Sequence, residues 1–336
     1  MTEIAEIAVS LIPVLTFLAG LILLDSYKLI KLQTVLLTII VGMVVAVVCL
    51  IANNFLLTLP DLRLAVFTRY VAPVIEEVVK SLFIIYLIRR HRVGFMVDAA
   101  IQGFAIGAGF ALVENISFWW ALEGSNPMLW VVRGFGTAAV HGGTMAMFGI
   151  VSQNLSERKD TWGPAVFLPG LGGAIVLHSL FNHFILPPLV STVVVLGIFS
   201  ALVIIVYHYS ERATRRWLGH GLDADMKLLE AITTGRILDS RIGRYLESLN
   251  DRFPVTVVAD MLGLLRVHLE LALRAKGLLL MQKASLTPPE DSEIDEKFTE
   301  LKQYRKNIGR TGMLALTPYL QTSSRDLWQM YLLHRR

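Results

Sequence analysis

Seven stretches of nearly unbroken apolar residues, separated by short polar segments, occupy the first two-thirds of the chain: roughly 5 to 24, 32 to 57, 64 to 88, 95 to 119, 128 to 152, 164 to 186 and 188 to 208. Each approaches the ~20 residues with which an α-helix crosses a hydrocarbon core of ~30 Å, so the pattern predicts seven transmembrane helices. Residues 211 to 336 change character. Apolar positions there recur at helical spacing, as in VVADMLGLLRVHLELALRAKGLLLMQ, but Asp260, Arg266, Glu270, Arg274 and Lys276 interrupt them and argue against an eighth span. LTPPEDSE, with Pro288 and Pro289, ends one helix, and an acidic run opens the next. The expected fold is all-α: a polytopic membrane bundle of about seven spans over 1–210, then a helical cytoplasmic or membrane-surface domain over 211–336.

Composition agrees. The chain is 54% hydrophobic and only 17% charged, with a mean hydropathy of +0.58, well to the membrane side of globular usage. Through residue 210, Lys+Arg and Asp+Glu balance at 11 each; the remainder holds 20 against 16, so the net charge of +4 resides in the tail. Lys28, Lys31, Arg89, Arg90, Arg92, Arg158, Lys159, Arg212, Arg215 and Arg216 fall in alternate loops, whereas the opposite loops hold little beyond Arg63 and Arg69. The positive-inside bias therefore puts the N-terminus outside and the tail in the cytoplasm. The first segment lacks a basic n-region and begins with Glu3 and Glu6, so it is expected to be a retained helix. The single cysteine, Cys49, excludes an intramolecular disulfide. The tail carries no phosphate loop, CxxC motif or nucleic-acid signature, and its mild positive balance suits anionic lipid headgroups.

Polar residues inside the spans are few: Glu76, Glu77 and Lys80 in segment three, Glu114 and Asn115 in four, His141 in five, and His178, Asn182 and His183 in six. Each ionisable group at that depth costs at least ~2.5 to 3.5 kcal/mol on insertion scales, which marks the set as functional. A rise of ~1.5 Å per residue brings Glu76, His141 and His178 to nearly one depth, with Glu114 and Asn182 about a turn further out. At ~100° per residue His178 and Asn182 share a face, while His183 points elsewhere and reads as an outer packing or interfacial residue. Glycines flank these positions: Gly103, Gly107 and Gly109 precede Glu114, Gly134, Gly136, Gly142 and Gly143 bracket His141, and Gly170, Gly172 and Gly173 precede His178. Small residues let membrane helices approach closely, so segments three to six are expected to form the bundle with one, two and seven outside it. Asp98 and Arg133 lie near segment ends, where interfacial solvation accounts for them. Trp119, Trp120 and Trp130 read as an interfacial belt.

The order EExxK (Glu76, Glu77, Lys80), FxxxE followed by Asn (Phe110, Glu114, Asn115), an isolated mid-helix His141, and HxxxN (His178, Asn182) resembles the PrsW family of intramembrane proteases. That family belongs to the superfamily of type II CAAX prenyl proteases and bacteriocin-processing proteins. The resemblance covers about residues 60 to 190 and leaves out the tail. It implies a multi-pass enzyme of a bacterial cytoplasmic membrane, hydrolysing peptide bonds of single-pass or membrane-associated proteins, such as anti-sigma factors, with a glutamate-activated water. Carried over by position, Glu76 is the general base, Glu114 assists it, His178 and Asn182 stabilise the oxyanion, and Glu77 with Lys80 orients and charge-balances the pair. His141 matches the family's isolated histidine.

The residues support this chemistry independently. Amide hydrolysis needs a carboxylate with access to water and donors aimed at the developing oxyanion, which an imidazole and a carboxamide on one helix face supply. No serine or cysteine is paired with a base in these helices. On this reading no cofactor is needed. A second reading has zinc held among Glu76, Glu77, Glu114, His141 and His178, although HExxH is absent. A third is a non-enzymatic transporter or scaffold relaying protons, against which stands the lack of an inverted repeat.

Overall fold

The computed structural model describes residues 3–24, 30–59, 62–121, 127–159, 163–287, 291–320 and 324–334. Lys28, Pro288 and Pro289 lie outside them, as do the side chains of Glu3, Glu6 and Lys159. The described residues are helical, with no strand among them, and their contacts divide into two compact units, Met1–Ser210 and Glu211–Arg336.

In the first unit α1 (Glu3–Leu24) and α2 (Leu32–Leu57) are followed by a short α3 (Leu64–Val66), a π-helical turn at Phe67–Val71 and α4 (Ala72–Arg89). Next come α5 (Met96–Ala121), a short α6 (Pro127–Val131), a second π-helical turn at Val132–Thr137, α7 (Ala138–Lys159), α8 (Pro164–Asn182) and α9 (Pro188–Thr233), whose residues from Glu211 onward, Asp225 among them, belong to the second unit. Pro164 stands in the first turn of α8, where a missing N–H breaks no helical bond, whereas Pro73 directly follows the first π turn within continuous helix. Each π turn runs directly into a helix that carries functional candidates. Such turns shift the angular register of the helix beyond them and recur at functional sites.

Four helices are long and apolar enough to cross a membrane among the described residues: Leu32–Leu57, Met96–Trp120, Pro164–Asn182 and Pro188–Thr233. The protein is thus a membrane protein. Helices α4 and α7 fall outside that group because they carry the polar load, Glu76, Glu77 and Lys80 on one and His141, Thr144, Ser152 and Gln153 on the other.

Helix α5 is the centre of the unit. Its apolar window is 89% buried, against 33% in α2 and 28% in α8. The expectation that segments one, two and seven stand outside the bundle is corrected here. Val14, Leu18 and Leu21 of α1, Val35 and Ile39 of α2, and Val206 of α9 share one core with Ile101, Phe104, Ala105 and Ala108 of α5. Glycine makes the approach possible: a Cβ on Gly42 would strike the Ile106 carbonyl, and one on Gly109 the Ile39 carbonyl. Two further expectations change. Trp130 is fully buried, so it does not belong to an interfacial belt, whereas Trp120 is 75% exposed and Trp119 partly exposed. Asp98 is buried, its Oδ2 accepting from the N–H groups of Gly94 (2.9 Å) and Phe95 (3.2 Å), where it satisfies donors at the start of α5.

The second unit has its own core. Helices α10 (Arg241–Ser248), α11 (Val255–Lys283), α12 (Glu293–Leu316) and α13 (Ser324–His334) contribute Leu246, Met261, Leu264, Leu271, Ile308, Leu316 and Leu333 to it. Gly309 breaks α12 with φ +69°, a conformation that favours glycine. Lys276 of α11 is fully buried against Asp225 at 2.6 Å.

Candidate active site

Four helices bring the polar residues together. Helix α4 supplies Glu76, Glu77 and Lys80, α5 supplies Glu114, α7 supplies His141 and Thr144, and α8 supplies His178. Gly107 lets α5 lie directly on α7 at this level, since a Cβ there would collide with the His141 carbonyl. The close contact of two backbones therefore fixes the separation of Glu114 and His141.

Glu77 and Lys80 form the buried base of the cluster, both with fully buried side chains. The Lys80 ammonium donates to Glu77 Oε1 and lies 2.9 Å from His141 Nδ1 and 4.5 Å from the Phe110 ring centre. An ammonium has no acceptor, so His141 Nδ1 must accept, which leaves its proton on Nε2. That Nε2 donates to Glu114 Oε2 at 2.6 Å. On the other side, His178 Nδ1 donates to Glu77 Oε1 at 2.8 Å, and Thr144 Oγ1 donates to Glu77 Oε2 at 3.1 Å. Glu77 thus accepts three hydrogen bonds, while His178 Nε2 faces Glu76 Oε2 at 3.9 Å.

Glu76 differs from its neighbour. Asn53 Nδ2 holds its Oε1 at 3.1 Å, and its side chain remains 12% exposed to a cavity of about 870 Å³ whose lining is predominantly apolar. Glu114, His141, His178 and Asn182 line the same cavity. Asn182 enters it from α8, but its carboxamide donates to the Thr68 carbonyl (3.0 Å) in the first π turn. His183 contacts the Ser179 carbonyl (2.6 Å) and the Tyr70 hydroxyl (2.9 Å), away from the cluster.

Glu76, His141 and His178 each offer a ligand atom within 4.8 Å of the other two. The residue types fit a divalent metal and three ligands leave a position open; His178, held by a carboxylate through Nδ1, has the usual arrangement of a ligating histidine, whereas both nitrogens of His141 are engaged, by Lys80 and Glu114. Sequence reasoning missed Asn53, Thr144 and Arg133, which completes the cavity wall. Asn53 is the one that a polar scan of segment two could have singled out.

Residues 31–208, just over half of the chain, match the family model described as PrsW family intramembrane metalloprotease. No curated protein and no solved structure matches the chain. The family's description and the Glu76, His141 and His178 cluster favour zinc over the cofactor-free reading. The chain belongs to the PrsW family and is an intramembrane protease, an enzyme that hydrolyses peptide bonds of membrane-associated proteins.

Proposed function

We propose that hydrolysis takes place at the cavity wall formed by Glu76, His141 and His178, and that these three residues hold a zinc ion there. The observation that carries this reading is His178 Nε2 facing the half-held carboxylate of Glu76 across 3.9 Å, with a His141 ligand atom within 4.8 Å of both. A bound zinc would polarise the scissile carbonyl and make water nucleophilic near neutral pH.

The remaining work belongs to the chain's own groups. Glu77, fixed by Lys80 and Thr144, holds the His178 ring with Nε2 toward the cavity. Glu114 Oε2 accepts from His141 Nε2 across their 2.6 Å bond and orients that ring, and as a carboxylate lining the cavity it takes the one proton that leaves the attacking water. The apolar cavity around them excludes bulk water and strengthens each of these interactions. Asn182 keeps the Thr68 carbonyl paired and turns to the oxyanion when substrate displaces that bond.

A metal-free reading has Glu76 Oε2 accept the water's proton directly, which its partial exposure to the cavity favours. Chelation separates the two: loss of cleavage with return on zinc addition supports the first, and full activity in metal-stripped protein supports the second. In both, Glu77 and Lys80 orient and balance charge. The helices of all seven apolar segments cross the bilayer, with the N-terminus outside and residues 211–336 as a cytoplasmic domain, in a bacterial cytoplasmic membrane. The substrate is a single-pass or membrane-associated protein, and fragments that accumulate with the wild type but not with Glu76→Gln identify it.

A further inference from the structure

Arg133 was expected at the membrane interface, but it lies in the second π turn, its side chain is 13% exposed, and it lines the catalytic cavity. Its guanidinium stacks on Phe118 at 3.5 Å from the ring centre and approaches Glu114 Oε1 at 3.3 Å. Nη2 is the atom of that ion pair, without hydrogen-bond geometry, and the buried Nε makes no hydrogen bond. A guanidinium carries five donors, so a buried Nε–H without an acceptor and a poorly aligned Nη2 in an apolar wall are costly unless something else arrives to take them.

Four other donors around the cavity are already bonded. Asn53 is bonded to Glu76, Asn182 to the Thr68 carbonyl, Ser117 to the Val113 carbonyl and Thr68 to the Leu64 carbonyl. A peptide segment drawn into this cavity loses its helical hydrogen bonds, and its carbonyl oxygens then need donors that lipid and apolar side chains cannot give. Arg133 is the cationic group placed to provide them. Its charge is already balanced by Glu114, so a neutral carbonyl suits it better than a second carboxylate in a cavity that also holds Glu76. One carboxylate, Glu114, links it to His141 Nε2 (2.6 and 3.3 Å), which puts the guanidinium within about 8 Å of that nitrogen, the reach of about two residues of extended peptide.

We propose that Arg133 is a substrate-binding residue that donates to a main-chain carbonyl about two residues from the scissile bond, and so selects an unwound, extended segment irrespective of side-chain charge. This rests on the assignment of the reaction to the Glu76 cluster. The test uses the purified full-length protein and a transmembrane peptide that it cleaves, with single backbone thioamides placed at successive positions, because sulfur is the poorer acceptor. The expected result is one position, distinct from the scissile carbonyl, at which the thioamide lowers kcat/KM about tenfold in the wild type. The same thioamide should have almost no further effect in Arg133→Met, with Arg133→Lys in between and thermal melting confirming that the variants fold. A wild-type scan with no sensitive position outside the scissile bond overturns the proposal even if Arg133→Met fails to fold. So does an Arg133→Met loss confined to peptides bearing an acidic residue. Glu76→Gln serves as the separate control: cleavage surviving that substitution would remove the site assignment itself, whatever the thioamides show.

Discussion

Lys80 and Glu77 are paired inside the membrane unit with no exposed surface on either side chain, and the same ammonium also reaches His141. One cation thereby fixes the orientation of both histidines, His141 directly and His178 through Glu77. Lys80→Met leaves Glu77 buried without its counter-ion, a loss of about 3–5 kcal/mol in comparable buried pairs. The Lys80→Met/Glu77→Gln double variant should recover most of that stability. Denaturant melts of the four proteins of this cycle measure the coupling, and a double variant no more stable than Lys80→Met would argue against the pair as drawn.

Gly107 and Gly172 offer a contrast. A Cβ at Gly107 meets the backbone of His141 and Gly142, whereas one at Gly172 meets nothing within 4 Å. Gly107→Ala should cost about 1–3 kcal/mol by overpacking and reduce cleavage sharply by shifting His141 from Glu114. Gly172→Ala should leave both properties near wild type. Equal effects of the two substitutions would show that close packing of α5 on α7 does not set the site.

The proton path predicts a role for Glu114 that its position near a helix end would not. Glu114→Gln keeps the cavity shape but removes the carboxylate that takes the water's proton. Turnover should fall by about 10²-fold or more, with KM little changed. Single-turnover rates on one peptide decide this, and an unchanged rate removes Glu114 from the chemistry.

The tail unit has a pH response of its own. Burial, reinforced by the cations Arg305 and Lys276, pushes His268 of α11 down to about 4. In the unfolded chain an ordinary histidine titrates near ~6.5, so between these values the unfolded state binds a proton that the folded state does not. Stability of residues 211–336 should therefore fall as pH drops from about 6.5 to about 4. Hydrogen exchange, corrected for intrinsic rates, reads this in the full-length protein, and His268→Gln should flatten the slope. An equal slope in that variant would assign the response to another group.

Much of the fold could be read along the chain because lipid demands apolar runs, and each of the seven runs is helical. The helices least apolar by composition, α4 and α7, are the ones whose polar residues meet at the site, so the same residues that weakened the span signal revealed the chemistry. Packing order was harder to see. A helix apolar on every face has no period to say which side meets which neighbour, and so the burial of α1 and α2 against α5 did not show. The π turns were also hidden, since Phe67–Val71 and Val132–Thr137 have no distinctive residue pattern. The second one explains why Arg133 turned out to be a cavity residue. The Asn182 carboxamide illustrates the remaining limit: a shared face with His178 gives direction but not the partner, which is Thr68.

The most direct measurement is cleavage of a reconstituted transmembrane peptide by Glu76→Gln beside the wild type, with folding of both checked by thermal melting. The substitution keeps size and the contact with Asn53 while removing the carboxylate that faces His178. A folded variant with cleavage reduced by about 10³-fold or more is the predicted result. A folded variant that cleaves at the wild-type rate would contradict the assignment of the reaction to Glu76, His141 and His178.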